Sequence, residues 1–379
     1  MLTPDAIPLT LYIHFPWCVK KCPYCDFNSH ALRGDLAEEA YINALIEDLA
    51  KQALLANERS IEAIFLGGGT PSLFSAKALE RLFQAIRTKL TLIPDCEITL
   101  EANPGTIERG QFRDYFAIGI NRISLGVQSF DSQQLKRLGR IHSSNETHQA
   151  IDEIRAAGFK RFNIDIMYAL PNQSVAEAVA DVAQAINCQP THISWYQLTL
   201  EPNTLFYVKP PELPNEDTVL AIESAGRERL VAAGFVQYEV SAFGQGGHRA
   251  LHNLNYWQFG DYLGIGAGAH SKLTLCDGRI IRQLCHKHPK AYLAAKDKVM
   301  QTRELDLKAR QFEYMLNHLR LSRPVSQADF EAKTGLAFEV LGPALKKAVE
   351  QELIVLTTEG FNVTEHGRRF HNNLVELFL

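Results

Sequence analysis

The chain has 379 residues, of which 46% are hydrophobic and 22% charged, with a formal net charge of −4. This composition supports a sizeable core, in two domains or in one large domain with an appendage. It gives no global pull toward nucleic acid or an anionic membrane, no apolar run long enough to cross a bilayer and, in residues 1–6, none of the basic and apolar regions of a secretory signal, so a cytoplasmic protein is expected.

Six β-rich runs, residues 9–14, 63–66, 97–101, 122–126, 163–167 and 192–198, alternate with amphipathic stretches at 38–55, 76–90, 107–117, 146–157, 175–186 and 217–233. In the first helix, Ile42, Leu45, Ile46 and Leu49 recur at helical spacing. This rhythm predicts an α/β fold, a parallel sheet with helices outside it, either open or closed as a barrel. Ligands of both architectures gather at the carboxyl ends of the strands. The polar and glycine signals fall there. The first strand runs into a cysteine loop, and the second ends in Gly67-Gly68-Gly69-Thr70-Pro71. The third ends in Glu101-Ala102-Asn103-Pro104, the fourth in Gly126-Val127-Gln128-Ser129, and the fifth carries Asp165. One site built from many strand ends is expected.

The rhythm breaks after Leu200. Residues 201–214 are proline-rich and read as a loop over the site. Residues 238–270 are rich in aromatics and glycine. Helices at 310–319, 327–334 and 342–351, then strand-like runs at 353–356 and 361–364 about a Glu359-Gly360 turn, predict a winged-helix-like module. The expected division is a core at 1–235, a connecting segment at 236–302 and the C-terminal module at 303–379. That module lacks a strong basic stripe, so it is expected to cover the core or meet a partner protein and not to bind nucleic acid.

Cysteine usage sharpens the functional reading. Cys96, Cys188, Cys276 and Cys285 are scattered, but Cys18, Cys22 and Cys25 lie within eight residues. Their C-x3-C-x2-C spacing lets three thiolates each hold one iron of a cubane and leaves the fourth iron open, whereas most iron–sulfur proteins supply four cysteines. A zinc-bound structural module is the rival, with His14 or His30 as fourth donor. Packing is a poorer account of three thiols in one short loop.

The full run Tyr12-Ile13-His14-Phe15-Pro16-Trp17-Cys18, then Cys22-Pro23-Tyr24-Cys25-Asp26-Phe27, resembles the radical-SAM superfamily. Over nearly the whole chain the sequence is similar to the branch that holds oxygen-independent coproporphyrinogen III oxidase and the HemW heme chaperones. The resemblance implies a partial (β/α)6 barrel with a C-terminal winged-helix-like α+β domain. It implies a [4Fe–4S] cluster on Cys18, Cys22 and Cys25, with S-adenosylmethionine (SAM) at the open iron. It counts Tyr12 and Tyr24 among the cofactor contacts, gives the methionyl part to Gly68, Gly69 and Thr70, and assigns Glu101, Gln128, Arg140 and Asp165 to polar contacts with the adenosyl moiety. Arg140 would also meet the methionyl carboxylate.

Within that branch the oxidase resembles C-x3-C-x2-C-x-C, and the position of its further cysteine is Phe27 here. The oxidase also has a longer N-terminal extension, while eleven residues precede Tyr12. His252-Asn253-Leu254-Asn255-Tyr256-Trp257 carries an H-N-x-x-Y-W motif that resembles the chaperones. Histidine can ligate heme iron, so His252 is the expected heme ligand, with His248 as competitor. His14 and His270 are candidates to line the cofactor pocket. The resulting expectation is a heme-binding chaperone that delivers heme to acceptor proteins, respiratory ones among them, with a homodimer and peripheral membrane association through a partner also expected. The rival is a radical-SAM enzyme acting on a porphyrin, such as the oxidase.

Overall fold

The computed structural model describes residues 2–106 and 110–379. The six expected strands are β1 (Leu9–Phe15), β2 (Ile61–Gly68), β3 (Leu92–Ala102), β4 (Arg122–Gln128), β5 (Phe162–Tyr168) and β6 (His192–Gln197), and all are parallel. The crossovers carry α1 (Glu38–Gln52), α2 (Ala76–Lys89), α3 (Gln111–Ala117), α4 (Ser132–Arg137), α5 (Ser144–Ala156) and α6 (Val175–Asn187). Residues 107–109, the start of the expected helix 107–117, and Met1 lie outside the described residues. Capping boxes at Ser143/Glu146 and Ser174/Glu177 set the starts of α5 and α6, since each serine and glutamate satisfies the other's end of the first turn.

A strict two-residue alternation shapes the barrel. In β1, Leu9, Leu11, Ile13 and Phe15 join the core under the helices, as do Ile123, Leu125 and Val127 of β4 and Ile164 and Ile166 of β5. Apart from Gly126 and Met167 the intervening residues are polar: Thr10, Tyr12 and His14; Arg122, Ser124 and Gln128; Asn163 and Asp165. Successive side chains of a strand point to opposite faces, so the apolar set seals the sheet to the helices while the polar set lines the lumen.

The loop expected at 201–214 contains the short helix α7 (Leu205–Val208) and leads to α8 (Glu216–Ala232). The stretch 236–302 completes the sheet on both sides. The hairpin β7 (Val236–Glu239) and β8 (Ala242–Gly244) adds antiparallel to β6. Helix α9 (Leu251–Trp257) then crosses the floor of the barrel, and β9 (Asp261–Ile265) lies parallel to β1 as a seventh parallel strand. Three antiparallel strands follow, β10 (His270–Thr274), β11 (Ile280–Cys285) and β12 (Val299–Glu304), with α10 (Pro289–Ala294) between the last two. The sheet has 12 strands, ordered β12-β11-β10-β9-β1-β2-β3-β4-β5-β6-β8-β7. Strands β9 and β6 are not paired, so the barrel is partial.

The C-terminal module comprises α11 (Leu307–His318), β13 (Val325–Ser326), α12 (Gln327–Thr334), α13 (Gly342–Glu350) and the hairpin β14 (Ile354–Thr357) and β15 (Gly360–Val363). It has its own core around Tyr314, Met315, Phe330 and Phe361, which also takes in Leu2, Phe259 and Ile280 from the barrel side. Among the described residues no helix is long and apolar enough to cross a membrane.

Candidate functional site

The cysteine loop leaves the upper end of β1 and is closed by a short parallel ladder of Trp17–Cys18 with His30–Ala31. Inside it, the Cys25 backbone N–H donates to the Cys22 carbonyl at 3.2 Å, and Lys21 Nζ bonds the carbonyls of Phe27 and Ser29. Asn28 pins the loop from outside: its Nδ2 donates to the carbonyls of Ala267 and Lys287, each at 2.9 Å. Beneath the loop, His14 Nε2 donates to the Asn28 carbonyl at 2.9 Å, which leaves Nδ1 to accept the Tyr12 hydroxyl at 2.9 Å. Burial, with the neighbouring His30 and His270, holds the His14 ring neutral by lowering its pKa to about 4.

Gly68 and Gly69 bring the end of β2 against this loop. A side chain at Gly69 would meet the Trp17 and Phe15 carbonyls at 2.5 and 2.7 Å, so only glycine permits the approach. The Gly69 and Thr70 N–H groups donate to those same carbonyls. Gly68 has φ +109° and lies on the His14 ring.

Cys18, Cys22 and Cys25 line one cavity of about 390 Å³ at the carboxyl ends of the strands. Tyr24, Gly68, Gly69 and Thr70 line it too, as do Glu101, Gln128, Arg140 and Asp165. Burial pushes the thiols of Cys18 and Cys25 up, so a metal held there would have to displace their protons to obtain thiolates. Among the described residues no three His, Cys, Asp or Glu side chains converge as a single metal ion would require. A cubane presents its irons at separate corners, so three thiols facing one cavity from one loop suit it.

The polar wall fits a ligand with carboxylate and hydroxyl groups. Arg140 Nη2 donates to the Gly126 carbonyl at 2.6 Å and Nη1 lies 3.6 Å from Cys22 Sγ, yet its Nε is buried with no partner. An incoming carboxylate would satisfy it. Glu101 Oε2 accepts the Gly68 N–H at 3.0 Å. Burial, and then the Asp165 charge, push its pKa from 4.5 up to about 8 despite that bond. Asp165 is raised as well, chiefly by burial, while Ser124 and Asn163 hold its two oxygens at 2.9 and 2.7 Å. Gln128 adopts φ +71° at a register shift between β4 and β5, a strained turn that aims its side chain at the cavity wall.

Two expected contacts lie elsewhere. Tyr12 is below the lining, its hydroxyl committed to His14 and its ring stacked on Phe65 and His252. His252 is in α9 on the barrel floor, 7% exposed, with Nδ1 on the Thr10 hydroxyl at 3.0 Å. Its ring stacks on Phe65 at 5.3 Å, and burial lowers its pKa to about 4. The rest of the motif packs beside it: Tyr256 on Tyr262, and Trp257 under the Arg320 guanidinium. His248 is exposed in the loop before α9, and neither His14 nor His270 lines the cavity. Sequence reasoning missed Ser124, Asn163, Asn28 and Tyr196, the last of which lines the cavity. The signal for Ser124, Asn163 and Tyr196 was the polar residue at every second position of an otherwise apolar strand, whereas Asn28 lies in the cysteine loop and had no such signal.

A partial parallel barrel with three clustered cysteines and a glycine-lined cavity at its strand ends defines a radical-SAM protein. Residues 12–185 match the radical SAM superfamily, and residues 305–370 match the HemN C-terminal domain. Coproporphyrinogen III oxidase (HemN) from Escherichia coli shares the fold, with a TM-score of 0.85 at 23% identity over 99% of this chain and 91% of that one. The "Heme chaperone HemW" of Escherichia coli is 48% identical over 98% of each chain, and that of Haemophilus influenzae 47% over 99% of each. The chain belongs to the HemW family of heme chaperones.

Proposed function

We propose that this protein binds heme and passes it to acceptor proteins, and that a [4Fe–4S] cluster on Cys18, Cys22 and Cys25 with SAM governs that transfer. The observation that carries the reading is likeness to heme chaperones over both domains, at 48% identity across 98% of each chain. The cavity supports the cofactor part. Arg140 Nε would take the methionyl carboxylate, Gly68, Gly69 and Thr70 would receive the methionyl backbone, and Glu101, Gln128 and Asp165 would take the polar edge of the adenosyl group. When bound, the cluster supplies the low-potential electron that SAM chemistry uses.

Phe27, 60% exposed on the cavity rim, stands where the oxidase pattern has a further cysteine. For heme itself, His252 is the proposed ligand. Its burial and its bond to Thr10 mean that ligation requires α9 to lift from the barrel floor. Acceptors of the respiratory chain, a cytoplasmic location, a homodimer and membrane association through a partner belong to the same proposal.

The test is heme titration of anaerobically reconstituted protein, followed by transfer to an apo-cytochrome. Heme uptake and transfer with no coproporphyrinogen oxidation is the expected result. Decarboxylation of coproporphyrinogen at an enzymatic rate, about 1 per second or faster, would overturn the chaperone reading in favour of a porphyrin-modifying enzyme. His252→Ala should weaken or shift the heme Soret band, and His248→Ala should change it less. An unaltered band in His252→Ala places the ligand elsewhere.

A further inference from the structure

Below the cavity, the lumen holds a continuous hydrogen-bond chain between the Asp165 carboxylate and the start of α9. Asn163 Nδ2 lies 2.7 Å from Asp165 Oδ1 and 2.8 Å from the Ser124 hydroxyl, which lies 2.9 Å from Asp165 Oδ2. Asn163 Oδ1 is 2.6 Å from His192 Nδ1 and 3.1 Å from the Ser194 hydroxyl. His192 Nε2 is 2.8 Å from the Tyr238 hydroxyl, and that oxygen is 3.2 Å from the backbone N–H of Ala250, immediately before α9. Asn163, His192 and Tyr238 are all buried, so no solvent competes for these bonds.

The chemistry of the groups fixes the direction of every proton. A carboxylate only accepts, so the Asn163 amide turns its NH2 to Asp165 and its oxygen to His192. At 2.6 Å a bare ring lone pair could not face that oxygen, so His192 carries its proton on Nδ1, and the oxygen accepts from it and from the Ser194 hydroxyl. Nε2 is then a bare lone pair and takes the Tyr238 O–H. The Tyr238 oxygen is left free to accept from Ala250, whose N–H can do nothing but donate. All donors point toward Asp165, and no group has to serve in both directions.

We infer that Asn163, His192 and Tyr238 are positioning residues for the Asp165 contact with the adenosyl hydroxyls, and that they tie the cofactor cavity to the helix bearing His252. The inference rests on the reading of Asp165 as a SAM contact. Asn163 and Ser124 each occupy one oxygen of Asp165 from below, which orients the remaining lone pairs into the cavity. Remove His192 and the Asn163 amide loses the donor that holds its oxygen in place on the side away from Asp165. The carboxylate is then no longer held for the ligand, although nothing that touches the ligand has changed.

The test uses full-length, anaerobically reconstituted and reduced protein, titrated with SAM and followed by the cluster's EPR spectrum. Asp165→Asn tests the site reading itself and should lose most SAM affinity. His192→Phe should weaken SAM binding about tenfold and Tyr238→Phe about threefold, with full iron content in both, since each loses a link in a chain that ends on a charge. His192→Gln, which can donate and accept along the same line, should recover most of the loss, a rescue that mere packing would not give. Nitrogen NMR should find His192 protonated on Nδ1. Wild-type affinity in His192→Phe and Tyr238→Phe alongside a loss in Asp165→Asn overturns the inference and spares the site, and so does an Nε2–H tautomer. Wild-type affinity in Asp165→Asn overturns the site reading and the inference with it. If His192→Phe does not fold, Tyr238→Phe, which removes a single oxygen, and the tautomer decide.

Discussion

At the upper end of the barrel, Glu101, Gln128, Arg140 and Asp165 face an open cavity, and Arg140 Nε has no partner. At the lower end, Asp261 is fully buried, and its two oxygens take Arg59 Nη1 at 2.8 Å, Lys272 Nζ at 2.9 Å, and the backbone N–H and hydroxyl of Thr274 at 2.8 and 3.0 Å. Both ends bury charge in the same sheet. The floor saturates its carboxylate from within the chain, and burial loses to the two cations, so the pKa of Asp261 falls. In the cavity burial wins over the neutral donors that reach Glu101 and Asp165, and both carboxyls rise. A buried charge fully paired is structure, whereas a buried charge left wanting a partner marks where a ligand goes.

Four experiments would break or sharpen this contrast. The largest effect is expected at the cysteines. Cys18→Ala, Cys22→Ala and Cys25→Ala should each abolish the cluster in iron and sulfide analysis, while Cys96→Ala, Cys188→Ala, Cys276→Ala and Cys285→Ala should retain it. A full complement of iron in Cys22→Ala would sink the ligand assignment.

At the floor, Asp261→Ala strands two buried cations and should cost about 3–5 kcal/mol in denaturant unfolding. An Asp261→Ala protein as stable as wild type would remove the distinction between the two ends. Because its folded pKa is depressed, the stability that ionised Asp261 contributes is present above its unfolded value and lost as pH falls through the folded one.

Gly69→Ala should reach further than the ligand cavity. Its Cβ would press the Trp17 and Phe15 carbonyls, so cluster content should fall along with SAM affinity. A full cluster with weakened SAM binding would show that the cysteine loop yields more easily than its contacts suggest.

The smallest and most diagnostic effect is expected for Glu101→Gln without ligand. The Glu101 pKa is raised on folding to about 8, so the unfolded chain ionises first as pH increases. The wild-type carboxyl therefore penalises the fold progressively from about pH 4.5 to 8. Glu101→Gln should be the more stable apoprotein, with its advantage growing across that window in melts at pH 5 and pH 8. An advantage independent of pH would mean that Glu101 finds another donor.

The sequence announces the upper end far better than the floor. Strand runs, glycines and the C-x3-C-x2-C spacing are local, and residues 9–14, 122–126 and 163–167 fall within observed strands for that reason. Glu101, Gln128 and Asp165 were legible because strand ends converge in this class of fold, whereas Arg140, between α4 and α5, was legible only through the family resemblance. The floor is not local. His192 and Tyr238 are 46 residues apart, and His252 and Thr10 are 242 apart. Nothing near His252 in sequence says that its Nδ1 is engaged by Thr10 or that its ring is buried on the barrel floor, so that environment is legible only in the fold. Strand β9 was hidden in the aromatic and glycine-rich stretch because its pairing partner β1 is the first strand of the chain.

Asn28 fastens the cysteine loop to Ala267 and Lys287, 239 and 259 residues further on, and β1 gains its second parallel neighbour only when β9 exists. A ribosome therefore makes the three thiols early and the groups that hold their loop late. At translation speeds of about 5–20 residues per second, the loop waits roughly 10–50 seconds for its anchors. Loading of the proposed cluster onto a held loop would therefore come late in synthesis, after the return strands have emerged, and a nascent chain arrested before residue 261 should expose its cysteines to alkylation more readily than the finished protein does.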